Sequence, residues 1–203
     1  MHDVRELTLY LRSRRAPMAL AVAAGCAVLM WLLALGNTQN GVVAPELIVL
    51  TVLLMVAGLT TTLTSPDYAL DRTAALRWPV RRAGHLLTVL LIVVGLLAVT
   101  LVTPARFSPA WMVARDAAGL LGLTALSATL LTPARSWFLP LGWTLFAVMF
   151  PQGEGALGRV LTWQSQAPGD TAALVTALVL ALGGFAAYTL TGPSRRAVAE
   201  VGG

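Results

Sequence analysis

Asp67 and Asp71 are two carboxylates at a spacing that suits metal chemistry. They stand four residues apart in "DYALDR", so both side chains share one face if the segment is helical. Membrane transferases that bind a metal ion and a diphosphate use such pairs, but they also need a second acidic cluster on the same side of the membrane. The sequence has no such second cluster, so it does not predict a transferase.

The other reactive residue types lack the partners that catalysis or metal binding requires. His2 and His85 show no metal-ligand spacing, and neither HExxH nor GxSxG occurs. Cys26 is the only cysteine and lies inside an apolar run, which excludes an internal disulfide. The chain has fourteen arginines and no lysine, so it holds neither a Walker A motif nor a Schiff-base site. We therefore predict no catalytic residue, no metal site and no cofactor on this chain, and expect it not to be an enzyme.

Arg115 and Asp116 interrupt a long apolar run, and two interpretations remain open. Charged residues at depth in a membrane usually serve a function, which favours an intramembrane pair. The same two residues can instead lie at the outer membrane interface and mark where a span begins.

The elements that must carry these residues are membrane helices. The chain is 57% hydrophobic and only 11% charged, which is more apolar surface than a soluble core of this size hides. A span needs about 20 apolar residues. Six runs approach that length, and turn-rich linkers such as "GNTQNG", "TPARFSP" and "PQGEG" separate them. The runs cover residues 17–35, 47–63, 85–102, 111–131, 137–150 and 171–190.

The arginines predict the orientation of these spans. With both termini in the cytoplasm, eleven arginines fall on the inner side and three on the outer side, which is a strong positive-inside bias. The three outer arginines are Arg106, Arg115 and Arg159.

A signal peptide is the alternative for the first run, but that run is longer than a signal core of about 7 to 15 residues. The net charge of +5 does not predict nucleic-acid binding, because the arginines flank apolar runs without aromatic platforms.

The charged stretch between the second and third spans, "TSPDYALDRTAALRWPVRR", has the signals of a short helix. Thr64 or Ser65 can cap it, Pro66 suits its first position and Asp67 stands where a capping-box acid would stand. We expect Pro79 to keep Trp78 out of the helical region. The segment is either a solvated connector or a docking element for a soluble partner.

Two further segments complete the layout. At the N-terminus, Val4, Leu7 and Leu11 fall on one face at helical spacing, as in a helix that lies in the membrane interface. Between the fifth and sixth spans, "ALGRVLTW" either dips into the headgroup layer or forms a loop that the interfacial Trp163 anchors.

This arrangement resembles the membrane subunit of a second-class ATP-binding-cassette exporter, in particular the small permeases of high-GC bacteria. The resemblance covers about residues 1–192 and includes strings such as "RDAAGLLGLTALSATLLTPARSWFLPLGW" and "LTWQSQAPGD". It implies a separate ATPase chain that carries ATP and Mg²⁺, and a second permease copy or related chain. It also implies that the helix after the second span is a coupling helix that docks on the ATPase. The residues matched to that role are Pro66, Asp67, Leu70, Asp71 and Arg72.

The expected fold is thus an all-α integral membrane protein in the bacterial cytoplasmic membrane. It comprises an interfacial helix at 1–16, spans 1 and 2 within 17–63, a coupling segment at 64–84, spans 3 to 5 within 85–150, an outer segment at 151–170, span 6 at 171–190 and a cytoplasmic tail at 191–203. The expected function is that of an exporter subunit. The alternative is a membrane scaffold or self-protection protein that binds a toxic product without transporting it. Lipids, drugs and hydrophobic peptides all suit apolar spans, so the substrate stays open.

Overall fold

The computed structural model describes residues 16–60, 78–131, 135–150 and 155–194. These ranges hold seven α-helices, one short β-hairpin and two 3₁₀ turns, so the predicted helical character is confirmed. In chain order the elements are α1 Ala16–Leu35, β1 Thr38–Gln39, β2 Val42–Val43, α2 Pro45–Thr60, α3 Trp78–Val99, a 3₁₀ turn Thr100–Val102, α4 Ala110–Leu130, α5 Phe138–Met149, α6 Gly155–Leu161, a 3₁₀ turn Trp163–Ser165 and α7 Thr171–Thr191.

The β-hairpin after α1 defines one end of the bundle, which we call the hairpin end. Asn40 and Gly41 both have positive φ, 53° and 75°, as the tight Asn-Gly turn of a two-residue hairpin requires. The segment before α4 joins this hairpin, because Val43 N–H donates to the carbonyl of Arg106 at 3.0 Å and Arg106 N–H donates to Gly41 at 2.8 Å. The α1–α2 and α3–α4 connections therefore lie at the same end.

The opposite end, where α7 finishes, we call the tail end. Arg82 in the first turns of α3 donates to the carbonyl of Thr189 near the end of α7, at 3.4 Å. Ser194 N–H donates to the carbonyl of Ala128 near the end of α4, at 2.9 Å. The six longer helices, α1 to α5 and α7, thus alternate in direction between the two ends.

Helix α4 lies in the centre of this bundle. It packs against α2, α3, α5 and α7, and 14 of its 21 residues are buried. Its closest neighbour is α7, and the contact is made backbone to backbone at Gly122 and Gly184. A Cβ atom on Gly184 would lie 2.8 Å from the Cα of Gly122, closer than real side chains approach. Small residues that bring helix backbones together are typical of membrane helix packing.

The outer surface of the described bundle is apolar. Within the described residues, three helices are long and apolar enough to cross a membrane by length and composition: Met18–Leu35, Pro79–Val102 and Thr171–Thr191. At most 28% of any of these three spans is buried inside the protein. In α3, for example, Leu86, Val89 and Val93 are buried on one face, whereas Leu87 and Leu91 are exposed on the other. Side chains of this kind are expected to face lipid or another protein rather than water.

The three other predicted spans correspond to α2, α4 and α5, which are either too short or not apolar enough to cross a membrane by these criteria. α2 and α5 are apolar but shorter. The 12 residues of α5 rise only about 18 Å, less than the hydrocarbon thickness of about 30 Å. α4 has the required length, but its apolar run contains Arg115 and Asp116 and its surface is mostly covered by the neighbouring helices.

One boundary was predicted wrongly. α3 begins at Trp78, seven residues before the predicted third span, so residues 78–84 belong to this helix rather than to a separate segment. The expectation that Pro79 keeps Trp78 out of the helix fails because a proline is tolerated in the first turn, where the missing N–H has no acceptor within the helix. Residues 1–15 of the predicted interfacial helix at 1–16, and residues 195–203 of the tail predicted at 191–203, lie outside the described residues.

Candidate functional site

The residues predicted to couple to an ATPase all fall within residues 61–77, outside the described part of the chain. These are Pro66, Asp67, Leu70, Asp71 and Arg72. The elements on either side of them are described: α2 reaches Thr60 at the tail end, and α3 begins there at Trp78. The two described residues that flank this segment, Thr60 and Trp78, therefore both lie at the tail end.

The charges of the described residues divide between the two ends of the bundle. Three described arginines, Arg81, Arg82 and Arg135, lie at the tail end, and the other three, Arg106, Arg115 and Arg159, lie in the hairpin-end half. The three acidic residues in the described ranges, Glu46, Asp116 and Asp170, all lie in the hairpin-end half. The tail end of the described structure is therefore positively charged.

Arg82 has a structural contact at this end. Its guanidinium group covers Gly192, whose added Cβ would lie 2.6 Å from the Cζ atom of Arg82. Gly192 has φ 75° and follows the last turn of α7, where its N–H donates to the carbonyl of Tyr188 at 2.9 Å. A positive charge at a helix C-terminus is favourable because the partial charge of the helix is negative there.

Near the hairpin end, α4 buries an ion pair. Arg115 Nε donates to Asp116 Oδ1 at 2.9 Å, and the two side chains are 1% and 0% exposed. The guanidinium carbon of Arg115 also lies 5.8 Å from the centre of the Trp111 ring, within cation–π range. Both charged residues are therefore near the start of α4, but they are covered by protein and do not lie on its outer surface.

The connection between α5 and α7 packs against α4 close to this pair. The Trp163 ring lies against Gly119, one helical turn after Arg115, and a Cβ on Gly119 would lie 3.0 Å from Cζ3 of the ring. Trp163 and Gln164 are 0% exposed, whereas Leu157 in α6 is 72% exposed. The ring of Trp163 is enclosed by protein, so Trp163 is not the interfacial anchor of a plain loop, and much of "ALGRVLTW" is helical in α6.

Several hydrogen bonds hold the α5–α7 connection in this position. Trp143 Nε1 donates to the carbonyl of Leu161 at 2.8 Å, and Ser165 Oγ donates to the carbonyl of Ala147 at 2.8 Å. Asp170 caps α7 by accepting from the N–H of Ala173 at 2.8 Å. The connection is thus tied to α5 on one side and to α7 on the other.

Five polar atoms or groups in this buried region have no hydrogen-bond partner among the described residues. They are both terminal nitrogens of Arg115, Asp116 Oδ2, Trp163 Nε1 and the amide of Gln164. Each such group costs about 1–3 kcal/mol when it stays unpaired. The sequence drew attention to Arg115 and Asp116 but not to Gln164, because one glutamine in a polar loop carries no signal of burial.

A second feature is an apolar crevice between α3, α4 and α7, with a volume of about 160 Å³. Leu86 and Leu90 of α3, Leu121 and Ala125 of α4, and Phe185 of α7 line it. It contains no group that can act as an acid, base or nucleophile. The described residues also contain no cluster of three or more His, Cys, Asp or Glu side chains that would hold a metal ion.

Comparison with known proteins finds no matching family model, no matching curated protein and no matching solved structure.

Proposed function

We propose that this chain is the membrane-spanning subunit of an ATP-driven exporter that couples to a separate ATPase chain. The observation that carries the proposal is the distribution of elements between the two ends of the bundle. The 61–77 segment connects helices at the positively charged tail end, and the α6 connection packs into the hairpin end. An exporter subunit of the resembled kind needs this separation, with the coupling segment on one side and the exit on the other.

The apolar exterior supports a location in a bilayer. The exposed side chains of α1, α3 and α7 are mainly Leu, Val and Ala, and burying a single Leu or Val is worth about 1.5–3 kcal/mol. With the tail end on the inner side, eleven of the fourteen arginines of the sequence fall on that side, so the positive-inside rule favours the bacterial cytoplasmic membrane with both termini in the cytoplasm. The six alternating helices would then be six spans.

The packed centre of the bundle favours a pathway between two chains. α4 fills the middle, and its backbone touches that of α7 at Gly122 and Gly184, which leaves no room for a substrate at that level. α1 and α5 carry exposed apolar side chains and are available to a second permease copy or a related chain. α2 is largely covered within this chain, so it would contribute less to that interface.

Energy for transport would come from an ATPase subunit that binds ATP and Mg²⁺. In this proposal Pro66, Asp67, Leu70, Asp71 and Arg72 form the docking surface, with Leu70 inserted and the two adjacent charges paired across the interface. The segment is short and charged, as a contact with a soluble protein requires.

Reversing the charges of Asp71 and Arg72 tests this coupling. An interfacial charge that faces its own sign costs several kcal/mol, so Asp71→Arg with Arg72→Asp should reduce the ATPase activity that co-purifies with the chain by at least about tenfold. The control is Arg135→Asp, which changes an exposed charge at the same end of the bundle. The control should leave both ATPase activity and membrane level unchanged.

The same experiment separates the alternative function. A membrane scaffold or self-protection protein would be purified from its native membrane without ATP hydrolysis, and the charge reversal would change nothing. Normal transport by the double variant, with its ATPase still bound, would contradict the docking role of the segment.

A further inference from the structure

We propose that the crevice between α3, α4 and α7, together with Arg82, binds one anionic phospholipid. Part of one acyl chain occupies the crevice and the headgroup phosphate binds the arginine. This inference rests on the location in a membrane and not on coupling to an ATPase. A failed coupling experiment therefore leaves it intact, and its own failure leaves the coupling proposal intact.

The crevice exists because small residues of α4 and α7 face it. Ala118 and Gly122 of α4 and Ala181 of α7 line the space between larger side chains, and the close approach of α4 to α7 prevents either helix from filling it. The lining is apolar and includes Leu87 and Leu182, which are exposed on the outer surface. An acyl chain can therefore enter from the lipid side and exchange one apolar environment for a closer-packed one.

Arg82 lies in line with the crevice at the tail end. Arg82, Leu86 and Leu90 are four residues apart on α3, so they lie one above the other on one face, about 6 Å apart along the axis. On α7, Thr189 follows the crevice residue Phe185 by the same interval. The 3.4 Å hydrogen bond from Arg82 to the carbonyl of Thr189 thus places the guanidinium group between α3 and α7, below the crevice.

The charge at this position selects an anion. A guanidinium group has five N–H donors, and the described hydrogen bond to Thr189 uses one of them. The acidic residues in the described ranges all lie in the other half of the bundle, and the exposed Arg81 is adjacent. Arginine binds phosphate oxygens well, and the phosphate of a membrane lipid is at the level where a span begins. A lipid fits both parts of the site, whereas a free phosphate would use only the arginine.

Titration of the detergent-solubilised protein with dioleoylphosphatidylglycerol, followed by native mass spectrometry, tests the proposal. We expect one lipid per chain to bind with preference over phosphatidylcholine. Arg82→Gln should weaken this binding by about fivefold, and Arg82→Lys should retain most of it, since one basic residue contributes about 1 kcal/mol at a membrane surface. Arg135→Gln, an exposed arginine at the same end, is the control and should bind as the native protein does.

A second pair of variants tests the crevice independently of charge. Ala118→Leu fills the crevice and should reduce binding of the single lipid at least as much as Arg82→Gln, whereas Ala98→Leu, on the exposed face of α3, should not. Unchanged binding in Ala118→Leu would overturn the proposal, as would equal binding of phosphatidylcholine. Displacement of the lipid by millimolar inorganic phosphate would show a simple anion site and would also overturn it.

Discussion

Gly184→Ala should destabilise the bundle even though alanine is the better helix former. The new Cβ would lie 2.8 Å from the Cα of Gly122 and closer still to its carbonyl group. Ordinary contacts of this kind are made at 3.4–4 Å, so α4 and α7 must separate by a distance on the order of 1 Å. The obstacle is backbone, which cannot rotate away as a flexible side chain does.

The magnitude follows from what else that separation disturbs. α4 also packs against α2, α3 and α5, so a shift of this helix loosens several contacts. Overpacking of an interior costs about 1–3 kcal/mol, and the gain in helix propensity on replacing glycine is at most about 1 kcal/mol. We expect Gly184→Ala to lower the free energy of unfolding by about 2 kcal/mol, measured by helical circular dichroism in mixed micelles of increasing SDS content.

The adjacent glycine provides the matched control. A Cβ on Gly183 would meet no atom within 4 Å, so Gly183→Ala should be neutral or slightly stabilising. Gly122→Ala meets Leu180 at 2.6 Å from its carbonyl carbon and should destabilise like Gly184→Ala. The double variant should cost less than the sum, because the first Cβ already separates the helices. If Gly184→Ala were as stable as Gly183→Ala, the close backbone contact would be refuted.

Two further predictions concern the α5–α7 connection and the orientation of the chain. Gly119→Ala should lower the free energy of unfolding by about 1–3 kcal/mol, because its Cβ meets the enclosed ring of Trp163, whereas Gly95→Ala meets no atom and should not; equal stabilities would contradict this packing. In a variant without the native cysteine, a cysteine at the exposed Ala156 should react with an impermeant thiol reagent on intact cells, and one at Ala74 should react only after lysis. Labelling at Ala74 alone would invert the orientation and remove the coupling argument.

The amino-acid sequence predicted where most helices lie. The ends of α4, α5 and α7 fall within one residue of the predicted runs, because each apolar run is bounded by proline, glycine or polar residues that favour turns. The turn after α1 also depends on adjacent residues alone, because the Asn40-Gly41 pair favours the positive φ angles of a tight hairpin turn. The start of α3 was predicted wrongly because proline disrupts the interior of a helix but is tolerated in its first turn, where Pro79 lies.

The sequence by itself therefore determined the elements, their apolar character and the unequal distribution of arginine, since each depends only on residues that are close in the chain. Only the tertiary structure decided which faces meet. α1 and α7 are apolar on every side, so hydropathy does not distinguish the packed face from the exposed one. The central position of α4, the contact of Gly122 with Gly184 and the burial of Trp163 against Gly119 depend on shape complementarity between distant segments. Close packing selects these contacts because small residues allow backbones to approach, and no periodic pattern of hydrophobicity records that choice.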